Sequence, residues 1–138
     1  MNHTCGNDRI RFYPGVGYRH LMIVRGVDFT DCQTQPPHDH IGIPVPNLLP
    51  TGKQAKLLID CMTESQKVFK DHAINRNRRE QGKNEASSVW FWGQGKKARM
   101  ESFASKYGLT GAAITAVDLV KGLAYLIGFD WINVDGAT

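Results

Sequence analysis

The stretch Thr34-Gln35-Pro36-Pro37-His38-Asp39-His40 carries the most unusual chemistry in this 138-residue chain. Two adjacent prolines stiffen the backbone, so the side chains that follow are held in place. An imidazole beside a carboxylate can bind metal, move a proton or grip a phosphate. His38, Asp39 and His40 offer up to three metal ligands, but no further His or Cys stands at a convincing metal spacing. The plain alternative is a polar surface loop with no task. Arg19 and His20 pass directly from a glycine turn into an expected strand. An arginine there can fork onto a carboxylate or phosphate, or simply be solvated. Arg76, Arg78 and Arg79 crowd a polar stretch that equally suits a solvated helix face. Gly93-Gln94-Gly95-Lys96-Lys97 follows an expected strand and has the look of a phosphate-cradling turn. It matches neither GxxxxGK[ST] nor GxGxxG, so alone it is a weak signal. Asp118 suits the first turn of a helix, where a carboxylate complements the dipole. No serine sits in a nucleophile elbow.

These residues need elements to position them. Arg9 to Tyr13 and Tyr18 to Arg25 read as two strands around Pro14-Gly15-Val16-Gly17, a hairpin. Residues 26–52 read mainly as loop and hold five of the six prolines; a loop this long is usually functional or disordered. Thr51 and Gln54 have capping-box spacing. A helix then runs to about His72, with Ala55, Leu58, Cys61, Met62, Val68 and Phe69 mostly on one face. Residues 73–84 are too polar to bury and suit a short surface helix ending at Gly82. Next come a strand at Ser87 to Trp92, a short helix at Ser102 to Lys106 and a small apolar strand at Gly111 to Ala116. A helix from Val117 to Ile127 has Gly128 just past its end, and Phe129 to Val134 reads as a last strand. Trp90 and Trp92 alternate with Phe91 and are expected to pack in a core. The predicted class is mixed α/β: hairpin plus helix, then a βαβαβ parallel piece. The last strand runs into a turn where a parallel sheet normally continues, so the chain reads as part of something larger.

Composition sets outer limits. The chain is 41% hydrophobic and 22% charged, which is ordinary for a globular domain. No apolar run approaches the roughly 20 residues that span a membrane, and the N-terminus lacks a signal-peptide layout; a cytoplasmic location is expected. Cys5, Cys32 and Cys61 are far apart and odd in number, which argues against a disulfide framework or a zinc knuckle. Cys61 falls on the apolar helix face and reads as a small buried hydrophobe. The net charge of +4 fits a small anionic substrate and also fits nucleic acid.

Six motifs occur together in one order: Tyr13-Pro14-Gly15-Val16-Gly17-Tyr18-Arg19-His20, Pro36-Pro37-His38-Asp39, Asn75-Arg76-Asn77-Arg78-Arg79, Trp90-Phe91-Trp92-Gly93-Gln94-Gly95-Lys96, Tyr107-Gly108-Leu109-Thr110-Gly111-Ala112 and Asp118-Leu119-Val120-Lys121-Gly122-Leu123. Each is weak alone. In series, over residues 8–138, they resemble the archaeal-type cofactor-independent phosphoglycerate mutases of the alkaline phosphatase-like superfamily. That resemblance implies a phosphatase-type α/β domain with an inserted substrate-binding domain. Residues 1–85 would be the latter part of the insertion and 86–138 a partial return into the phosphatase-type domain. It implies interconversion of 2- and 3-phosphoglycerate through a phosphoserine, with two divalent metals (Mn, Mg or Zn) beside the serine. The family's nucleophilic serine and first metal-binding aspartate match positions before residue 8. The other metal ligands match positions after Thr138. The expectation is therefore a segment inactive alone, with no metal of its own and with the remainder of the catalytic domain as partner.

By the same resemblance Arg19, His20 and His38 are substrate-binding candidates, Asp39 is the catalytic candidate, and Arg79 and Lys96 follow less strongly. Arg19 would bind the carboxylate or phosphate, while His38 and Asp39 would bind phosphate or handle the proton of the receiving hydroxyl. His40 departs from the family, which usually has an aliphatic residue there. Two other readings compete. One is a stand-alone anion- or nucleic-acid-binding module using Arg76–Arg79 and Lys96–Arg99, whose affinity should fall steeply with salt. The other is a metal protein centred on His38-Asp39-His40, which zinc or manganese calorimetry would reveal.

Overall fold

The computed structural model describes residues 1–136. The chain forms two compact units, Met1–Gly95 and Lys96–Thr138.

The first unit opens on the expected hairpin. Strand β1, Ile10–Pro14, pairs antiparallel with β2, His20–Val24, in a register that sets Phe12 opposite Met22 and Pro14 opposite His20. Side chains alternate across a strand. Met22 therefore packs on the core and Phe12 approaches Phe91, with ring centroids 6.4 Å apart, while Tyr13, Leu21 and Ile23 face outward. The open edge of β1 is covered by a side chain. Asn2 donates to the Phe12 carbonyl and accepts from the Phe12 N–H, each at 2.8 Å, as a neighbouring strand would. In the turn, a Cβ on Gly15 would collide with the Arg19 carbonyl, and Gly17 sits at φ +63; both places favour glycine.

The region 26–52 is mostly loop, punctuated by a two-residue antiparallel pair, β3 at Cys32–Gln33 and β4 at Thr51–Gly52, and by two 3-10 turns at Pro37–Asp39 and Val45–Leu48. This pairing corrects the expected capping box. Thr51 is committed to β4 opposite Gln33, and Gln54, at φ 69, starts the helix without a side-chain cap.

Helix α1, Ala55–Lys70, buries Ala55, Leu58, Cys61, Met62 and Ser65 in one stripe. Cys32, Ala55 and Leu58 centre the core, with Met22, Phe29, Leu57 and Phe91 packed around them. Val68 and Phe69 are half-buried further along the same helix. Helix α2, Ala73–Glu80, follows as expected; His72 Nδ1 caps it by accepting from Ile74 N–H at 3.3 Å.

Ser87 to Trp92 is not a strand. It has no ladder partner among the described residues; helix side chains instead take the Val89 N–H within it and the Ala86 backbone just before it. The buried Asn75 amide donates to the Phe69 and Ala86 carbonyls at 2.8 and 2.7 Å and accepts from Ala86 N–H at 3.0 Å. Fully buried Ser65 accepts from Val89 N–H at 2.9 Å. Extended alternation reads the same from sequence whether strands or side chains take up the hydrogen bonds.

In the second unit, helix α3, Phe103–Tyr107, is capped by Ser102 and closed by Gly108 at φ 66. Strand β5, Ala112–Ala113, leads through helix α4, Asp118–Leu126, to the parallel strand β6, Asp130–Trp131. Asp118 lies in the first turn of α4 and Gly128 turns at φ 80, both as read from sequence. The class is mixed α/β, with small antiparallel pairs and one parallel pair. The expected βαβαβ piece is a βαβ unit, because the stretch assigned to its first strand is the side-chain-clamped segment. The expected closing turn at 135–138 lies partly outside the described residues.

Candidate functional site

The Pro36–His40 loop is built around one tight turn. Pro36 is extended (φ −68, ψ 125), and Pro37–Asp39 forms a single 3-10 turn closed by Asp39 N–H donating to Pro36 O at 3.2 Å. The turn sets His38 and Asp39 side by side, with Nε2 3.8 Å from Oδ1 and the side chains 63% and 62% exposed. An imidazole and a carboxylate so open to solvent are accessible to a ligand. The His38 ring meets Trp92 edge-on, with centroids 5.2 Å apart and planes at 73°. His40 turns away, its Nε2 3.1 Å from Gln35 Oε1.

The approach to this turn is held from residues 90–94. Trp90 Nε1–H donates to the Gln35 carbonyl at 2.7 Å. Gln94 Nε2–H donates to the Cys32 carbonyl at 2.6 Å, and the Thr34 hydroxyl donates to Gln94 Oε1. Phe91 points the other way, onto the core. The expectation that both tryptophans pack in the core is therefore corrected: Trp92 is half exposed, and both serve the loop. Nothing in the local sequence pairs residues 90 and 94 with a loop some sixty positions earlier; the alternation of Trp90, Trp92 and Gln94 on one side of the chain is the available signal.

Arg19 and His20 stand together at the mouth of the hairpin, both exposed. The Arg19 guanidinium donates to the Tyr18 hydroxyl at 3.3 Å, and the Gly15 N–H donates to His20 Nδ1 at 3.1 Å. Among the described residues no hydrogen bond or ion pair links this pair to His38 and Asp39.

Arg79 is already partnered. It forks onto Glu85, with Nε to Oε1 at 2.8 Å and Nη2 to Oε2 at 2.7 Å. The hydrogen bond and the charge of Glu85 raise the Arg79 pKa, and the hydrogen bond from Arg79 holds the Glu85 carboxyl below its usual range. Arg76 donates to Asp71 O at 2.8 Å and Arg78 to Asn84 O at 2.5 Å. All three arginines thus close their own surface loop, which weakens the case for a nucleic-acid patch. Lys96 belongs to the second unit.

The cysteines do not make a site. Burial pushes Cys61 up to about 12, with Cys5 adding to the shift, and burial also raises Cys32. Thiols held protonated are poor nucleophiles. Cys61 lines an apolar groove of about 530 Å³ along α1 that includes none of the candidate residues. Among the described residues no three His, Cys, Asp or Glu side chains converge as metal ligands. They do not fit the divalent pair that the resemblance implies. No helix among them is long and apolar enough to cross a membrane.

Fold and site together define a class: a mixed α/β segment that presents imidazole, carboxylate and guanidinium groups from loops. Known proteins narrow it. The family model for 2,3-bisphosphoglycerate-independent phosphoglycerate mutase matches residues 1–75. A probable 2,3-bisphosphoglycerate-independent phosphoglycerate mutase of Geobacter sulfurreducens is 50% identical over 135 residues, 98% of this chain and 34% of the relative. A second such mutase, from Methanothermobacter thermautotrophicus, is 43% identical over the whole chain and again 34% of the relative. The cofactor-independent phosphoglycerate mutase structure from Thermoplasma acidophilum superposes with a TM-score of 0.58 at 25% identity, covering 93% of this chain and 37% of that one. This chain belongs to the 2,3-bisphosphoglycerate-independent phosphoglycerate mutase family, and it spans about a third of the length of the curated relatives it matches.

Proposed function

We propose that this chain is a substrate-holding segment of an enzyme that interconverts 2- and 3-phosphoglycerate through a phosphoserine intermediate. The observation that carries this reading, beside family membership, is the His38–Asp39 pair. A proline-stiffened turn presents it to solvent. His38 holds the phosphate, and Asp39 takes or returns the proton of the receiving hydroxyl. Arg19 forks onto the carboxylate or phosphate, a geometry that guanidinium suits, and His20 adds a neighbouring contact. Lys96 is a further substrate-binding candidate by the family resemblance alone. Arg79 joins only by exchanging Glu85 for substrate, so its part is the smallest.

In this reading residues 1–85 are the latter part of an inserted substrate-binding domain, and residues 86–138 return into a phosphatase-type domain. The nucleophilic serine and the ligands for two divalent metals (Mn, Mg or Zn) lie in the remainder of the catalytic domain, which is the partner of this segment. Bound there, the metals would supply charge stabilisation for phosphoryl transfer. This segment alone is inactive, and the enzyme works in the cytoplasm.

The test is calorimetric titration of the chain with 3-phosphoglycerate. Arg19→Ala removes a charge-assisted bidentate contact, worth about 1.5–3 kcal/mol, so affinity should fall roughly 10- to 100-fold. Equal affinity for Arg19→Ala, or oligonucleotide binding that collapses with salt, would replace this reading with another.

A further inference from the structure

We infer that Gln94, together with Trp90, is a positioning residue for the His38–Asp39 pair. This rests on the proposed role of that pair, although its geometry stands apart from the identity of the ligand.

A short 3-10 turn cannot fix its own place. It has few internal hydrogen bonds, and both prolines lack an N–H with which to be held. The turn is instead fastened just upstream. Three handles within four residues, the Cys32 carbonyl, the Thr34 hydroxyl and the Gln35 carbonyl, are each taken by a side chain from residues 90–94. Gln94 takes two of the three and uses both ends of its amide, one as donor and one as acceptor. Glutamate, with acceptors only, could keep the bond from the Thr34 hydroxyl but not the one to the Cys32 carbonyl. Cys32 is itself buried in the core, so the clamp ties the loop to the packed part of the unit. Trp92, between the two clamping residues, then meets the His38 ring edge-on. Trp90, Trp92 and Gln94 thus act on the loop at four points through side chains alone. A reacting group held by such supports gains from being kept in one orientation.

The experiment compares the full 138-residue chain with Gln94→Met, Gln94→Glu and Trp90→Phe. Two readouts are taken: the His38 ring proton resonance, which the Trp92 ring current displaces, and the dissociation constant for 3-phosphoglycerate. For Gln94→Met the His38 resonance should move towards its position in Trp92→Ala, and affinity should weaken about tenfold. Gln94→Glu, which keeps the Thr34 bond, should fall between. Trp90→Phe should shift the resonance in the same direction. A purely structural residue would lower the melting temperature without moving the His38 resonance of the folded protein. Should Gln94→Met fail to fold, Thr34→Val removes one handle alone and reads the same resonance. An unmoved His38 resonance in folded variants overturns the inference. A shifted resonance in a chain that does not bind 3-phosphoglycerate supports the clamp and removes the substrate reading instead.

Discussion

Glu85 is six residues beyond Arg79, outside the i,i+3 and i,i+4 spacings by which ion pairs announce themselves on a helix. Sequence therefore made Arg79 look available when it is engaged. The pairing has a measurable consequence. Glu85 is held below its ordinary value, so its contribution to stability is present above pH about 4.3 and is lost as pH falls through the depressed value. In an NMR titration the Glu85 carboxyl should show a midpoint below the ordinary glutamate range, and Arg79→Gln should return it to that range. An unshifted midpoint in the unmutated chain would count against the pair. Both partners are solvent-exposed, so the titration is the better readout than unfolding. His38, Asp39 and Arg19 stand out as candidates at this scale because proline and glycine punctuation marks their surroundings. Gln94 and Trp90 do not, since their partners are set by tertiary folding.

Helices and hairpin were the legible elements. The apolar stripe of α1 and the Gly-rich turn between β1 and β2 carry their period on their face. The segment after α2 misled because its alternation suits a ladder, yet Asn75 and Ser65 take its hydrogen bonds. This gives Asn75 structural weight that its place in a polar motif conceals. Asn75→Ala leaves the Ala86 N–H and two carbonyls without their partner in a site only 4% exposed. The cost should be about 2–3 kcal/mol, read as a lower urea midpoint at unchanged slope. A change under about 0.5 kcal/mol, the size typical of neutral surface substitutions, would mean that water replaces the side chain.

At the scale of the molecule, mixed α/β character could be read from the chain, but the number of paired strands could not. Pairing depends on which distant backbone lies alongside, and two-stranded sheets are marginal on their own. The second unit shows the effect. Among its described residues only Ala124 is buried, while Leu119, Tyr125, Leu123 and Trp131 remain exposed. Regions with few buried apolar contacts open at low free energy. Backbone amides in α3 and α4 should exchange with deuterium at least about tenfold faster than those of Leu58–Ser65 in α1. Equal protection in both would show that the second unit is as stable as the first.

The hydrogen bond that closes the hairpin mouth also fixes the state of an imidazole. A backbone N–H is always a donor, so the His20 nitrogen that accepts from Gly15 must be bare. While that bond stands the ring is neutral and its proton resides on Nε2. His20 then offers a hydrogen-bond donor outward and no acceptor. It suits an oxygen bearing negative charge and has no lone pair to abstract a proton, so any base at this surface must be another group.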